Sequence, residues 1–278
     1  MTVVLFCGGE GLRLRERTRR VRKPLVPIGG DAILRHLMRY YAHYGHRHFV
    51  LCLGYQGDAV VRHFLRGRER TAVEPLPDQS VRVRLQTETL GQWVVDLVPT
   101  GHGTPIGERL RAVRSYIEGP VFLANYADGL SDLNLPDFLA RFARSGATAG
   151  LISVPAHSTL HLVTLERDGL VDAVRSAADC GLRINGGFFA MRREVFDHLA
   201  PGEDLATDLF PRLVAARRLF GYRHDGFWAC MDTPKDWRAL AEMDARGIAP
   251  WKVWLGRPAA APVAAPAPQA AAASQAMS

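Results

Sequence analysis

Six residues, TVVLFC (Thr2–Cys7), carry no charge and run straight into Gly8 and Gly9. An apolar run of that length, closed by glycine, predicts a buried strand. The pattern recurs. HFVLCLGY (48–55), VRVRLQT (81–87), WVVDLVPT (93–100) and PVFLANYADG (120–129) read as strands. Between them lie segments with apolar residues at helical spacing: 32–45, 57–67, 107–117 and 135–146, three of them ending on Gly45, Gly67 and Gly146. Glycine just past a helix supplies the left-handed residue that ends it. Strands alternating with helices in this way need a mainly parallel sheet covered on both faces, an α/β fold.

From about residue 148 the texture changes. AGLISVP, HLVTLE, VDAVRS and INGGFFAM read as strands with fewer helices between them, which predicts a small mixed second lobe. Helices return at 206–218 and 234–247. The stretch 257–278 is rich in Ala and Pro with a single charge, cannot bury a core, and is expected to be a disordered tail.

The chain has 278 residues, 47% of them hydrophobic, which is enough for one large α/β domain. No apolar run reaches the roughly 18 residues of a membrane helix, and the N-terminal stretch lacks the features of a signal peptide. A cytoplasmic protein is expected. Cys7, Cys52, Cys180 and Cys230 form no C-x-x-C pair and read as reduced thiols. His43, His46 and His48 straddle a predicted helix break and read as surface residues. HSTLH (157–161) lacks the context of a nucleophile elbow.

The net charge is +7, and most of it sits in one loop. Between Glu10 and Lys23 stand seven basic residues (Arg13, Arg15, Arg17, Arg19, Arg20, Arg22, Lys23) against Glu10 and Glu16, a net of +5. Charge concentrated in one loop, rather than in a stripe over several elements, argues against nucleic-acid binding. In an open sheet, ligands bind beyond the carboxyl ends of the strands, and this loop follows the first one. Glycines let backbone N–H groups approach phosphate oxygens, and arginines add charge-assisted bonds. The loop therefore reads as an anion cradle. The P-loop string G-x-x-x-x-G-K-[ST] is absent, and the local pattern is G-G-x-G-x-R rather than G-x-G-x-x-G. Pro24 and Pro27 favour a loop lying across the ligand over a helix pointing at it.

GGEGLR followed by RKPLVP resembles the G-G-x-G-T-R and P-K-P signature of sugar-1-phosphate nucleotidylyltransferases. ILRHLMRYYAHYG, LGYQGD, YADGLSDLN, INGGFF, GFWACMDT and APWKVW carry the resemblance from residue 2 to about 254, towards the cytidylyltransferase branch that acts on glucose 1-phosphate. It implies one domain over 1–256, with a nucleotide half to about 147 and a sugar half from 148. The implied fold is Rossmann-like, with a mixed, mainly parallel sheet flanked by helices, of the nucleotide-diphospho-sugar transferase type. The implied reaction joins a nucleoside triphosphate, CTP in this branch, to a sugar 1-phosphate and releases pyrophosphate.

The resemblance also assigns residues. Gly8, Gly9, Glu10 and Gly11 would wrap the nucleotide phosphates, with Arg13 on the triphosphate and Lys23 near the α-phosphate. Asp128 and Asp232 would share a Mg²⁺ ion. Thr104 and Arg109 would contact the nucleotide, Arg109 by donating to the acceptor edge of cytosine. Asn185, Gly186 and Gly187 would line the sugar pocket, and Asp132 reads as a turn or cap residue. No membrane or nucleic-acid partner is expected, and a homo-oligomer is.

Three departures stand out. VRSAADCGLRINGGFF lacks the Glu-Lys-Pro that the family carries before N-G-G, leaving Arg175 or Arg183 as alternative phosphate ligands. Ala127 stands where glycine is common, and Leu12 where threonine is usual. These leave the nucleotide half largely intact and bear on the sugar half, which leaves open another sugar phosphate, or a non-catalytic sugar-nucleotide-binding or regulatory protein of the same fold.

Overall fold

A computed structural model describes residues 1–8, 22–156, 161–176 and 180–256. In chain order the strands are β1 (Thr2–Phe6), β2 (Pro27–Ile28), β3 (Asp31–Ala32), β4 (His48–Leu53), β5 (Arg70–Pro75), β6 (Val81–Thr87), β7 (Gly91–Pro99), β8 (Val121–Tyr126) and β9 (Gly129–Ser131). They continue with β10 (Ala149–Pro155), β11 (His161–Leu165), β12 (Val171–Ser176), β13 (Arg183–Arg192), β14 (Leu219–Arg223) and β15 (Trp228–Cys230). The α-helices are α1 (Ile33–His43), α2 (Gly57–Arg66), α3 (Ile106–Ala112), α4 (Leu135–Ser145), α5 (Phe210–Ala215) and α6 (Pro234–Ala245).

Nine strands form one sheet in the order β14-β10-β13-β8-β1-β4-β7-β6-β5. β8, β1, β4 and β7 are mutually parallel neighbours, and only β6 and β13 run against the rest. The sheet is thus mixed and mainly parallel, flanked by helices. β1 shows why both faces must be covered. Val3 and Leu5 point into one apolar cluster with α1, α2 and α4 residues such as Leu37, Phe64 and Phe138. Val4 and Phe6 point into a second, with Leu110 of α3 and Leu213 of α5. A strand buried on both sides has no polar face, which is why TVVLF reads as a continuous apolar run.

The helix ends follow local chemistry. Asn134 caps α4 by accepting from the Asp137 amide, and Gly146 leaves it at φ +67°. Thr233 and Asp236 form a reciprocal capping box at the start of α6.

Several features differ from the sequence expectations. β5 and β14 occupy the two edges of the sheet and did not show as strands, because partly exposed, charge-bearing edge strands lack the apolar signal. Strands β10, β13 and β14 of the second lobe extend the same sheet, while β11 and β12 form a separate hairpin. The helix predicted over 206–218 opens as a π-turn at Leu205–Leu209 before becoming α5. His48 is not a surface residue: its Nε2 lies 2.8 Å from the fully buried Asp96, which also accepts two bonds from Arg82. Cys7 and Cys52 are buried free thiols, and Cys180 and Cys230 half-buried ones. Among the described residues no helix is long and apolar enough to cross a membrane. The tail 257–278 and residues 157–160 lie outside the described residues.

Candidate active site

The parallel strands deliver four loops to one edge of the sheet. β1 ends at Cys7 and Gly8, β4 at Gly54 and Tyr55, β7 at Thr100, and β8 at Ala127 and Asp128. Cys7 N–H still bonds the Cys52 carbonyl at 3.0 Å and Ala127 N–H reaches the Phe6 carbonyl, so the sheet fixes these loops directly.

Lys23, Asp128 and Asp232 meet at this edge. Lys23 opens a 3₁₀ turn, Lys23–Leu25, stiffened by Pro24. Its Nζ lies 2.5 Å from Asp128 Oδ2 and 2.6 Å from Asp232 Oδ1, partners 105 and 209 residues away. Asp128 leaves β8 in the short link to β9, and its carbonyl accepts from Met231 N–H at 3.0 Å. The β9–β15 pairing, with Gly129 opposite Cys230, brings Asp232 alongside. The Asp232 amide then donates to Asp236 Oδ2 at 3.1 Å, tying it to the α6 cap. Two carboxylates this close repel unless a cation stands between them, and here the ammonium does. Burial opposes the Lys23 charge, but Asp128 and the two hydrogen bonds outweigh it, and the pKa rises to about 12.

Cys230 completes the group. A thiol sulfur and one oxygen from each aspartate lie within 4.8 Å of one another, a group able to hold a metal ion. Burial pushes the Cys230 thiol well above its usual pKa, with Asp128 adding to it. The oxygens suit a hard dication such as Mg²⁺; the thiol does not.

Arg109 is the floor of the site. It is 2% exposed. Its Nε donates to the Thr104 carbonyl at 3.0 Å and Nη1 to Thr100 Oγ1 at 2.8 Å, with longer bonds to the Leu53 and Gly8 carbonyls. The guanidinium thus ties the ends of β1, β4 and β7 together. The expectation that it faces a base edge is not what this arrangement displays, since its donors meet protein oxygens. Thr104 enters through its carbonyl. Gly8 and Gly54 have to be glycine here: a Cβ would stand 2.2 Å from Arg109 Nη1 at the first and 2.7 Å at the second. Gly9, Glu10, Gly11 and Arg13 lie outside the described residues.

At the segment expected to line the sugar pocket, Asn185 Oδ1 accepts from Gly187 N–H at 2.9 Å, and Gly187 turns at φ +74°. The Tyr126 ring packs against Gly187, and Trp228 Nε1 donates to the Gly186 carbonyl at 2.7 Å. Tyr126, Trp228 and Cys230 are residues that sequence reasoning missed; their signal was adjacency to Asp128 and Asp232 in YAD and WACMD. Arg183 is engaged elsewhere, with Ser153, the His224 carbonyl and Asp225, so its guanidinium does not serve as a free phosphate ligand. Arg175 lies exposed on β12. Asp132 pairs with His224 at 3.2 Å, in keeping with a structural role.

The nucleotidyl transferase family matches residues 2–244. A Bacillus subtilis (strain 168) protein assigned as a glucose-1-phosphate cytidylyltransferase is 33% identical over 258 residues, covering 91% of this chain and 100% of its own length. The Salmonella typhi glucose-1-phosphate cytidylyltransferase is 30% identical over 257 residues, with the same coverage. Among solved structures, HddC from Yersinia pseudotuberculosis superposes with a TM-score of 0.60 at 18% identity, over 87% of this chain and 99% of that one. This chain belongs to the nucleotidyl transferase family, and is an enzyme of the sugar-1-phosphate nucleotidylyltransferase type.

Proposed function

We propose that the protein transfers a cytidylyl group from CTP to glucose 1-phosphate, giving CDP-glucose and pyrophosphate. The observation that carries the reading is the Lys23 ammonium held between Asp128 and Asp232 at the carboxyl edge of the sheet. The similarity to cytidylyltransferases over nine-tenths of the chain supports the choice of substrates.

A phosphate oxygen of the sugar phosphate attacks the α-phosphorus in line. The bond from that phosphorus to the bridging oxygen breaks, and pyrophosphate leaves with the electron pair. Two anions must meet while charge spreads over the α-phosphate, so the protein's task is to position them and supply cations. Lys23 supplies one. Its stem rises from a proline-stiffened turn, so the charge is preorganised. Gly8 presents backbone close to the phosphates, with Gly9, Glu10, Gly11 and Arg13 continuing that cradle. Arg109 holds the loop ends in register, together with Thr104. Asn185, Gly186 and Gly187, braced by Tyr126 and Trp228, offer the sugar hydroxyls an amide and backbone groups.

Asp128 and Asp232 would hold Mg²⁺, which when bound neutralises phosphate charge. Lys23 contacts the same two carboxylates, so ion and ammonium would compete for them. The proposal keeps a nucleotide half over about 1–147 and a sugar half over about 148–256.

A homo-oligomer is part of the proposal. On the β11–β12 hairpin, Val163, Leu165, Leu170, Val171 and Val174 are 53–65% exposed, which is more apolar surface than a two-stranded ribbon keeps in water without a partner.

A second reading has an observation in its favour. The Glu-Lys-Pro motif is missing and Arg183 is committed to Ser153 and Asp225, which changes the sugar half and suits a nucleotidylyltransferase for a different sugar phosphate. Pyrophosphate release, screened over CTP, UTP, dTTP, ATP and GTP against a panel of sugar 1-phosphates, decides between them. Release with CTP and glucose 1-phosphate is expected. Release with CTP and another sugar 1-phosphate, but not with glucose 1-phosphate, would favour the second reading.

A further inference from the structure

The turn that carries Lys23 is anchored unevenly. On its far side Pro24 is buried, Ile33 N–H bonds the Val26 carbonyl at 3.0 Å, and Trp237 Nε1 donates to the Pro27 carbonyl at 2.9 Å. On its near side stands Arg22, the residue that caps the turn by accepting from Leu25 N–H at 2.7 Å. The Arg22 guanidinium lies over the ring of Tyr55, 4.5 Å from its centroid. His102 meets the Tyr55 ring edge to face, ring centroids 4.9 Å apart and planes at 71°.

Tyr55 is well placed to be a fixed surface. It sits in the tight turn after β4, where Gly57 N–H bonds the Gly54 carbonyl at 2.9 Å and Gln56 takes a left-handed φ of +52°. Gly54 itself packs on Gly8 and Arg109. The contacts therefore run in series. The β7 loop, through His102, meets the β4 loop; Tyr55 of that loop meets Arg22; and Arg22 is the cap of the Lys23 turn.

We propose that Tyr55 is a positioning residue for Lys23. Its ring face holds the Arg22 guanidinium, and this sets the near end of the turn so that the ammonium meets the substrate phosphates. The proposal rests on the reading of Lys23 as the phosphate-facing cation. Tyr55 touches no reacting atom on this view, and its hydroxyl is dispensable; the ring face is the part that acts.

The test is a double-mutant cycle on the full chain, reading steady-state pyrophosphate release with CTP and glucose 1-phosphate in excess over enzyme, at enzyme concentrations raised so that slow variants remain measurable. Thermal midpoints are taken in parallel. Tyr55→Ala is expected to lower kcat by roughly 2- to 30-fold, the span of a cation–π contact, with KM for CTP little changed. Tyr55→Phe keeps the ring and is expected to keep the rate. In a Lys23→Ala background, Tyr55→Ala is expected to have no further effect, because what it positions is gone. Arg22→Gln, which leaves the aromatic pair intact, is expected to reproduce the kcat loss without a large drop in thermal midpoint.

If Tyr55→Ala slows the Lys23→Ala enzyme by the same factor as the wild type, Tyr55 acts apart from Lys23, for example by stacking on the nucleobase, and the proposal fails. It fails too if Tyr55→Phe is as slow as Tyr55→Ala, or if Arg22→Gln is as fast as wild type. A Lys23→Ala enzyme that turns over at the wild-type rate would overturn the functional reading of Lys23 itself, and this inference with it.

Discussion

Arg109 Nη1 occupies the space where a side chain on Gly8 would begin, 2.2 Å from an ideal Cβ. A flexible arginine would swing away from such an intrusion. This one is buried and bonded to Thr104, Thr100, Leu53 and Gly8 itself, so moving it undoes the joint between three strand ends. Gly8→Ala is therefore expected to lower both the thermal midpoint and turnover. A calorimetric scan beside a pyrophosphate-release assay checks it, and an unchanged midpoint would mean that the guanidinium relocates at little cost.

Removing the Lys23 ammonium leaves Asp128 and Asp232 facing each other without their cation. Lys23→Ala is expected to cut turnover by orders of magnitude with the fold intact. The same change is expected to tighten Mn²⁺ or Mg²⁺ binding to the nucleotide-free protein, since the ion no longer competes for those carboxylates. Titration calorimetry with metal alone reads the second effect. Weaker metal binding in Lys23→Ala would contradict the shared-acceptor arrangement.

Asp128→Asn and Asp232→Asn each keep the shape of the site and remove one negative charge. Both are expected to lose metal-dependent activity and metal affinity together. Should either keep both, a common site made by the two aspartates is wrong.

What could be read beforehand divides along physical lines. β1, β4 and α1 were legible because burial on a defined face writes a period into the sequence. β5 and β14 were not, since an edge strand with one exposed face admits charge and turn residues. The meeting of Lys23 with residues 105 and 209 positions away leaves no local mark, and became visible only through the resemblance of RKP, YADG and CMDT to a family signature. Arg109 was picked out by the same route, but its burial was not: arginine is ordinarily exposed, and nothing in IGERL announces that four oxygens await it. The contact of Arg22 with Tyr55 had no signal, because stacking partners on separate loops share neither spacing nor composition.

Asp96 tests how far stability and catalysis are separable. It is fully buried on β7, held by Arg82 at 2.6 and 2.8 Å and by His48 at 2.8 Å. Burial alone would raise its pKa, but the bonds from Arg82 and His48 outweigh that, and the carboxyl is held below the usual aspartate range. A depressed carboxyl contributes stability above its unfolded pKa of about 3.9, lost as pH falls through the folded value. Asp96→Ala leaves Arg82 and His48 facing a void and is expected to cost roughly 3–5 kcal/mol. Folded Asp96→Ala enzyme is expected to turn over normally. Chemical denaturation from pH 7 down to pH 3 checks this: the gap between wild type and variant should narrow towards acid, and a gap constant with pH would remove the carboxylate as its source.

The last prediction concerns the base. CTP is expected to be preferred, with some use of UTP or dTTP, on the strength of the cytidylyltransferase similarity. Cytosine presents O2 and N3 as acceptors, whereas uracil and thymine carry N3–H, so a donor facing that edge discriminates by leaving the wrong base unpaired. Arg109 is the donor that the sequence nominates. The structure gives its guanidinium another task, binding the carbonyls of Gly8, Leu53 and Thr104. The two roles differ in what Arg109→Lys would do. A lysine keeps the charge but cannot reproduce the fork that spans three strand ends. If support of those loops is the main role, Arg109→Lys lowers turnover with every nucleotide by a similar factor, lowers the thermal midpoint, and leaves the order of preference among nucleotides intact. That is the expected outcome. Competition of CTP, UTP, dTTP, ATP and GTP in one assay, on wild type and Arg109→Lys, measures it. Collapse of the preference for CTP with the midpoint unchanged would instead place the guanidinium on the base edge during turnover, and would require it to leave the bonds it makes in the free enzyme.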